Sequence, residues 1–130
     1  MSFYNRIGNV SNKFQGDTKK VLCVCSAGLL RSPTMAVVLS QEPYNYNTRA
    51  AGLSKEYALI PVDEVLLHWA DEIVCAESWM AQEIEEMLTT LNLQHKDLIA
   101  LDIPDQYEYR HPKLVEMIKE EYNLSEKDNG

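Results

Sequence analysis

Lys20-Val21-Leu22-Cys23-Val24-Cys25-Ser26-Ala27-Gly28-Leu29-Leu30-Arg31-Ser32-Pro33 passes from a strand through a loop into a helix. The first six residues are a short, nearly continuous apolar run, which suits a strand buried on both faces of a parallel sheet. The run stops at the turn signal Ser26-Ala27-Gly28. Ser32-Pro33 then opens a helix, with Ser32 as expected N-cap and Pro33 at the first helical position. Thr34 to Gln41 continues it, and Pro43 ends it.

Five residues separate Cys25 from Arg31, and Ser32 follows. A loop of that length between strand and helix can wrap its N–H groups around an oxyanion, with the helix N-terminus behind it. Gly28 permits the positive φ that such wrapping requires. Arg31 offers two parallel donors to an anion and does not deprotonate. A thiol at a helix N-terminus beside an arginine has its thiolate stabilised, and the thiolate is the nucleophile. The Ser32 hydroxyl can donate to that sulfur while accepting from a helix N–H. Cys25 is therefore the candidate nucleophile and Arg31 the candidate clamp. Ser26, Ala27, Gly28, Leu29, Leu30 and Ser32 complete the candidate anion cradle. The competing reading is a buried structural cysteine beside an incidental arginine. The strand before, the glycine within and the helix after all weigh against it.

The pattern continues on the C-terminal side. Tyr46 to Ala51, closed by Gly52, reads as a second strand. Pro61 is expected to start a helix with Val62, Val65, Leu66 and Trp69 along one stripe. Glu72 to Cys75 reads as a third strand. Glu77 to Leu91 is the clearest helix, with Met80, Ile84, Met87, Leu88 and Leu91 at helical spacing. Asp97 to Leu101 reads as a fourth strand, Asp102 to His111 as a polar loop, and Pro112 to Tyr122 as a last helix with Leu114, Ile118 and Tyr122 inward. Alternating strands and helices imply an α/β fold, a single three-layer domain with a parallel sheet flanked by helices. Ligands of such sheets sit at the carboxyl ends of the strands, where Cys25, Cys75 to Glu77 and Asp102 to Asp105 all fall. Residues 1–18 are polar and read as an N-terminal extension, 19–124 as the domain, and 125–130 as a frayed tail.

Length and composition fit this picture. The chain has 130 residues, 45% hydrophobic and 25% charged, as in an ordinary soluble globular domain. No apolar run is long enough to span a bilayer, and residues 1–20 lack the apolar core of a signal peptide, so a cytoplasmic location is expected. A formal net charge of -8 argues against nucleic acid or a membrane surface as main partner. Three cysteines, Cys23, Cys25 and Cys75, are too few and too odd for a disulfide scaffold. His68, His95 and His111 show no ligand spacing, so neither metal nor other cofactor is expected. Trp69 and Trp79 read as core, and Glu77 as a helix N-terminal carboxylate favoured by the dipole.

Val24-Cys25-Ser26-Ala27-Gly28-Leu29-Leu30-Arg31-Ser32-Pro33-Thr34 resembles the phosphate-binding loop of low-molecular-weight protein tyrosine phosphatases, of the form Cys-(x)5-Arg-Ser-Pro. Thr48-Arg49-Ala50-Ala51-Gly52 is similar to that family's second strand, and Asp71 to Glu77 to its third strand and acidic turn. Asp102-Ile103-Pro104-Asp105-Gln106-Tyr107 resembles its general-acid loop. Together these span about residues 19–122 in the family's order, closest to a short branch described as predicted tyrosine phosphatases. The resemblance implies a four-stranded sheet of order 2-1-3-4. It also implies hydrolysis of a phosphomonoester, on a protein or a small molecule, through a phosphocysteine on Cys25. Three positions depart from the family: Gly28 stands where the family has Asn, Leu30 where it often has a second Cys, and Gln106 where it has Pro.

A leaving alkoxide or phenoxide needs a proton, which a carboxylic acid on a loop can supply before it activates water. Asp102 and Asp105 are the candidates, and the resemblance places the acid at Asp105, leaving Asp102 a strand-end role. Tyr107 and Tyr109 either wall an aromatic substrate or pack the loop. Three other classes share some of these features. A phosphocysteine carrier of the sugar-phosphotransferase IIB type also places a Cys after its first strand, but Arg31 and Asp105 favour hydrolysis over storage. A thioredoxin-coupled arsenate reductase needs two further, closely spaced cysteines. The third class is a catalytically silent phosphate-binding module, and an intact set of Cys25, Arg31 and Asp105 argues against it.

Overall fold

The computed structural model describes residues 19–26, 31–54, 58, 60–104 and 110–129, with side chains through 125. Four strands and four helices alternate: β1 (Lys20–Cys25), α1 (Arg31–Ser40), β2 (Asn47–Gly52), α2 (Glu64–Trp69), β3 (Glu72–Cys75), α3 (Ser78–Thr90), β4 (Asp97–Ala100) and α4 (Pro112–Asn129). The strands form one parallel sheet of order β2-β1-β3-β4, as expected. Residues 1–18 lie outside the described residues.

The apolar run explains the central place of β1. Val21 to Cys25 are buried, because helices cover both faces of the sheet. Parallel strands need crossovers, and right-handed ones fix which helix lies where. The step back from β1 to β2 puts α1 on one face, where it packs against α4. The steps forward through β3 to β4 put α2 and α3 on the other. Met35, Leu39, Leu114, Ile118 and Tyr122 fill the first layer, and Leu66, Leu67, Met80, Ile84 and Leu88 the second.

Several local expectations change. α1 begins at Arg31, so Ser32 lies inside its first turn rather than capping it. α2 begins after Asp63, whose carboxylate caps the Leu66 N–H at 2.8 Å. Pro61 instead bridges to Gly52 beside β2. The later start turns the helix, so Leu66 and Leu67 are buried and Val65 is 70% exposed. Trp69 packs on the core with the Arg49 guanidinium 4.5 Å from its ring, but Trp79 is 45% exposed in the first turn of α3. α4 continues through Asn129, past the frayed tail expected from Ser125. Among the described residues no helix is long and apolar enough to cross a membrane, and no metal-ligand cluster forms.

Candidate active site

The chain leaves β1 for β2 on one side and returns to β3 on the other. The crevice beyond the carboxyl ends of β1 and β3 is therefore the switch point where such sheets bind ligands. Backbone pairing carries the sheet past its formal ends here. Leu53 N–H donates to the Cys25 carbonyl at 3.0 Å, Ser54 N–H to that of Ser26 at 2.8 Å, and Ala76 N–H to that of Val24 at 2.9 Å. These bonds fix the exit of β1 on both sides, and with it the base of the Cys25 side chain.

Cys25 is buried, and its Sγ lies 3.1 Å from Ser32 Oγ. The same hydroxyl lies 3.3 Å from the Ala51 carbonyl. Ser32 has one proton to give. With Cys25 as a thiol, S–H can donate to Ser32 while Ser32 donates to Ala51. With Cys25 as a thiolate, the hydroxyl turns to the sulfur. The serine expected as a helix cap is thus the sulfur's own hydrogen-bonding partner.

Arg31 is buried at the start of α1. Its Nη1 donates to Glu77 Oε2 at 2.5 Å and to the Ile103 carbonyl at 2.9 Å. Both of these contacts fall on one terminal nitrogen. In general the Nε–Nη2 edge of a guanidinium can meet two oxygens of an anion side by side. Glu77, read from sequence as a dipole-favoured carboxylate, does stand at the N-cap of α3, but makes no capping bond; its carboxylate turns to Arg31. The sequence signal for this contact is an acidic residue just past a strand beside the switch point.

The other predicted residues divide. Asp102 has φ 57, and its carboxylate accepts from Ser78 Oγ at 2.7 Å, which ties the exit of β4 to the first turn of α3. The next residue is tied in as well: Ile103 N–H donates to the Ala76 carbonyl at 2.7 Å. Ala27, Gly28, Leu29, Leu30, Asp105 and Tyr107 lie outside the described residues. The remaining thiols differ from Cys25 in setting. Cys23 and Cys75 are free and fully buried; burial pushes the Cys23 thiol well above its ordinary pKa and that of Cys75 up to about 12.

Among solved structures, the chain is similar to Vibrio vulnificus Wzb in complex with benzylphosphonate. That match has a TM-score of 0.66 and 18% identity, and covers 85% of this chain and 99% of that one. The tyrosine phosphatase Wzb from Escherichia coli K30, in complex with phosphate, matches with a TM-score of 0.62 and 15% identity over 87% and 99%. The YwlE arginine phosphatase from Geobacillus stearothermophilus matches with a TM-score of 0.58 and 17% identity over 84% and 94%. No family model matches the chain, and no curated protein matches it significantly. The chain thus has the fold of these phosphatases, the fold that the sequence resemblance implies.

Proposed function

We propose that the protein is a cysteine-dependent phosphomonoester hydrolase, with aryl phosphates of the phosphotyrosine type as its first substrate class. The observation that carries this reading is the pairing at the two ends of the Cys-(x)5-Arg loop. Cys25 Sγ sits 3.1 Å from a hydroxyl, and Arg31 is held through Nη1 by Glu77 and Ile103. The fold shared with phosphatases supports it.

In the proposed reaction Cys25 Sγ attacks phosphorus, the S–P bond forms and the bond to the leaving oxygen breaks. Arg31 and the loop N–H groups hold the equatorial oxygens, where charge gathers. Asp105 gives its proton to the leaving oxygen. Water then attacks the phosphocysteine, Asp105 takes a proton from that water, and the S–P bond breaks to release inorganic phosphate. A carrier role is the weaker reading, because nothing in storage of a phosphoryl group calls for an acid.

Turnover of aryl phosphates, phosphotyrosine peptides, phosphoarginine and sugar phosphates tests this directly. Cys25→Ser is expected to lose turnover on every substrate while still binding phosphate. Asp105→Asn is expected to lower kcat/KM for poor leaving groups by about a hundredfold, and for activated aryl phosphates much less. Turnover retained in Cys25→Ser overturns the assignment. Preference for phosphoarginine, the substrate class in the name of YwlE, would keep the chemistry and change the substrate class.

A further inference from the structure

The segment between β4 and α4 is fastened at both ends to the first turn of α1. At its start the Ile103 carbonyl accepts from Arg31 Nη1 at 2.9 Å. At its end Arg110 N–H donates to Thr34 Oγ1 at 2.9 Å. Arg31 and Thr34 lie three positions apart on one helix, so they share a face one turn apart. Thr34 is fully buried, and Arg110 is held at φ 60, a left-handed conformation that a non-glycine residue adopts at a cost. The bond to Thr34 therefore sits where the backbone needs outside support.

We infer that Thr34 is a positioning residue: its hydroxyl fixes where the segment carrying Asp105 returns to the helix that begins with Arg31. This deepens the proposed hydrolase reading and rests on it. Arg31 cannot be removed without destroying the phosphate clamp, whereas Thr34 holds the far end of the segment. Thr34→Val keeps the volume of the buried side chain and deletes the acceptor, while Thr34→Ser keeps the acceptor. If the hydroxyl works through the acid, its loss changes protonation of the leaving group and leaves phosphate binding alone.

The experiment compares kcat/KM, which covers phosphoryl transfer to Cys25 and not the later hydrolysis of the phosphocysteine, on phenyl phosphate, a poor leaving group, and on dinitrophenyl phosphate, which needs no proton. Thr34→Val is expected to lose about tenfold on the first and less than about twofold on the second. Thr34→Ser should stay near wild type, and the inhibition constant of inorganic phosphate should not move. In the Asp105→Asn background Thr34→Val should add little, as for residues that act as a unit. Thr34→Ala replaces the valine variant if that does not fold. An equal loss on both substrates, no loss, failure of serine to rescue, or full additivity with Asp105→Asn overturns the inference. A wild-type protein that hydrolyses no phosphomonoester overturns the hydrolase reading and this inference together. A wild type that hydrolyses, with an Asp105→Asn effect but no Thr34 effect, overturns the inference alone.

Discussion

Glu77 decides how Arg31 stands. A guanidinium with both described contacts on Nη1 has its plane fixed by the directions of two acceptors, the Glu77 carboxylate and the Ile103 carbonyl. Removing one loosens the placement of Nη1, and small misplacements of a positioning group cost up to about a hundredfold in rate. Glu77→Ala is therefore expected to lower kcat/KM by roughly ten- to a hundredfold and to weaken inhibition by phosphate. Glu77→Gln, which keeps an acceptor oxygen, should lose less. Steady-state kinetics with phosphate as inhibitor check this; a Glu77→Ala enzyme within about twofold of wild type would remove Glu77 from the site. Cys25, Arg31 and Ser32 were legible in the sequence because their relation is local, a fixed spacing between a strand and a helix. The contact of Glu77 was not, because its partner lies 46 positions away and only the adjacency of β1 and β3 brings the two together.

At the scale of elements, legibility follows length and burial. β1 and β3 are short, but Val21 to Cys25 and Ile73 to Cys75 are buried throughout, so a short apolar run marks each. α3 repeats its apolar positions over 13 residues, and of the five read from spacing Met80, Ile84 and Leu88 are buried while Met87 and Leu91 are half-buried against the core. α2 has only six residues, less than two turns, so the cap at Asp63 outweighs periodicity in setting its face. Trp79 fits a core position by residue type, yet it stands on the exposed side of α3. The exit of β4 carries a prediction at this scale. Asp102 adopts a left-handed φ and accepts from Ser78, a turn role that asparagine can also fill. Asp102→Asn is expected to hydrolyse good and poor leaving groups within about threefold of wild type. A loss growing with leaving-group pKa, measured across a series of aryl phosphates, would move the acid from Asp105 to Asp102.

The whole molecule responds to alkaline pH through groups the reaction does not use. Burial raises the Cys75 thiol from 9.0 to about 12, and raises Cys23, where the nearby Glu72 adds to the effect. Tyr122 moves the same way, by burial first and then by its hydrogen bonds and the charge of Glu72, to which its hydroxyl donates at 2.8 Å. Each is an acid that folding keeps protonated. Below the unfolded thiol's pKa both states hold the proton and nothing is lost. Above it the unfolded chain ionises while the folded chain does not, so stability falls as pH rises, by up to about 1.4 kcal/mol per pH unit for each group. For Cys75 the loss begins near 9 and ends near 12. Urea unfolding of wild type and Cys75→Ala at several pH values isolates its share. At neutral pH the alanine variant should be the less stable, since deleting a buried sulfur leaves a small void. Between roughly pH 8.5 and roughly pH 10.5 the gap should close by about 2 kcal/mol, because only the wild type carries the thiol that must stay neutral. A gap that holds constant over that range would mean that Cys75 ionises as readily in the folded protein as in the unfolded chain, and that the face of the sheet opposite Cys25 is open to water.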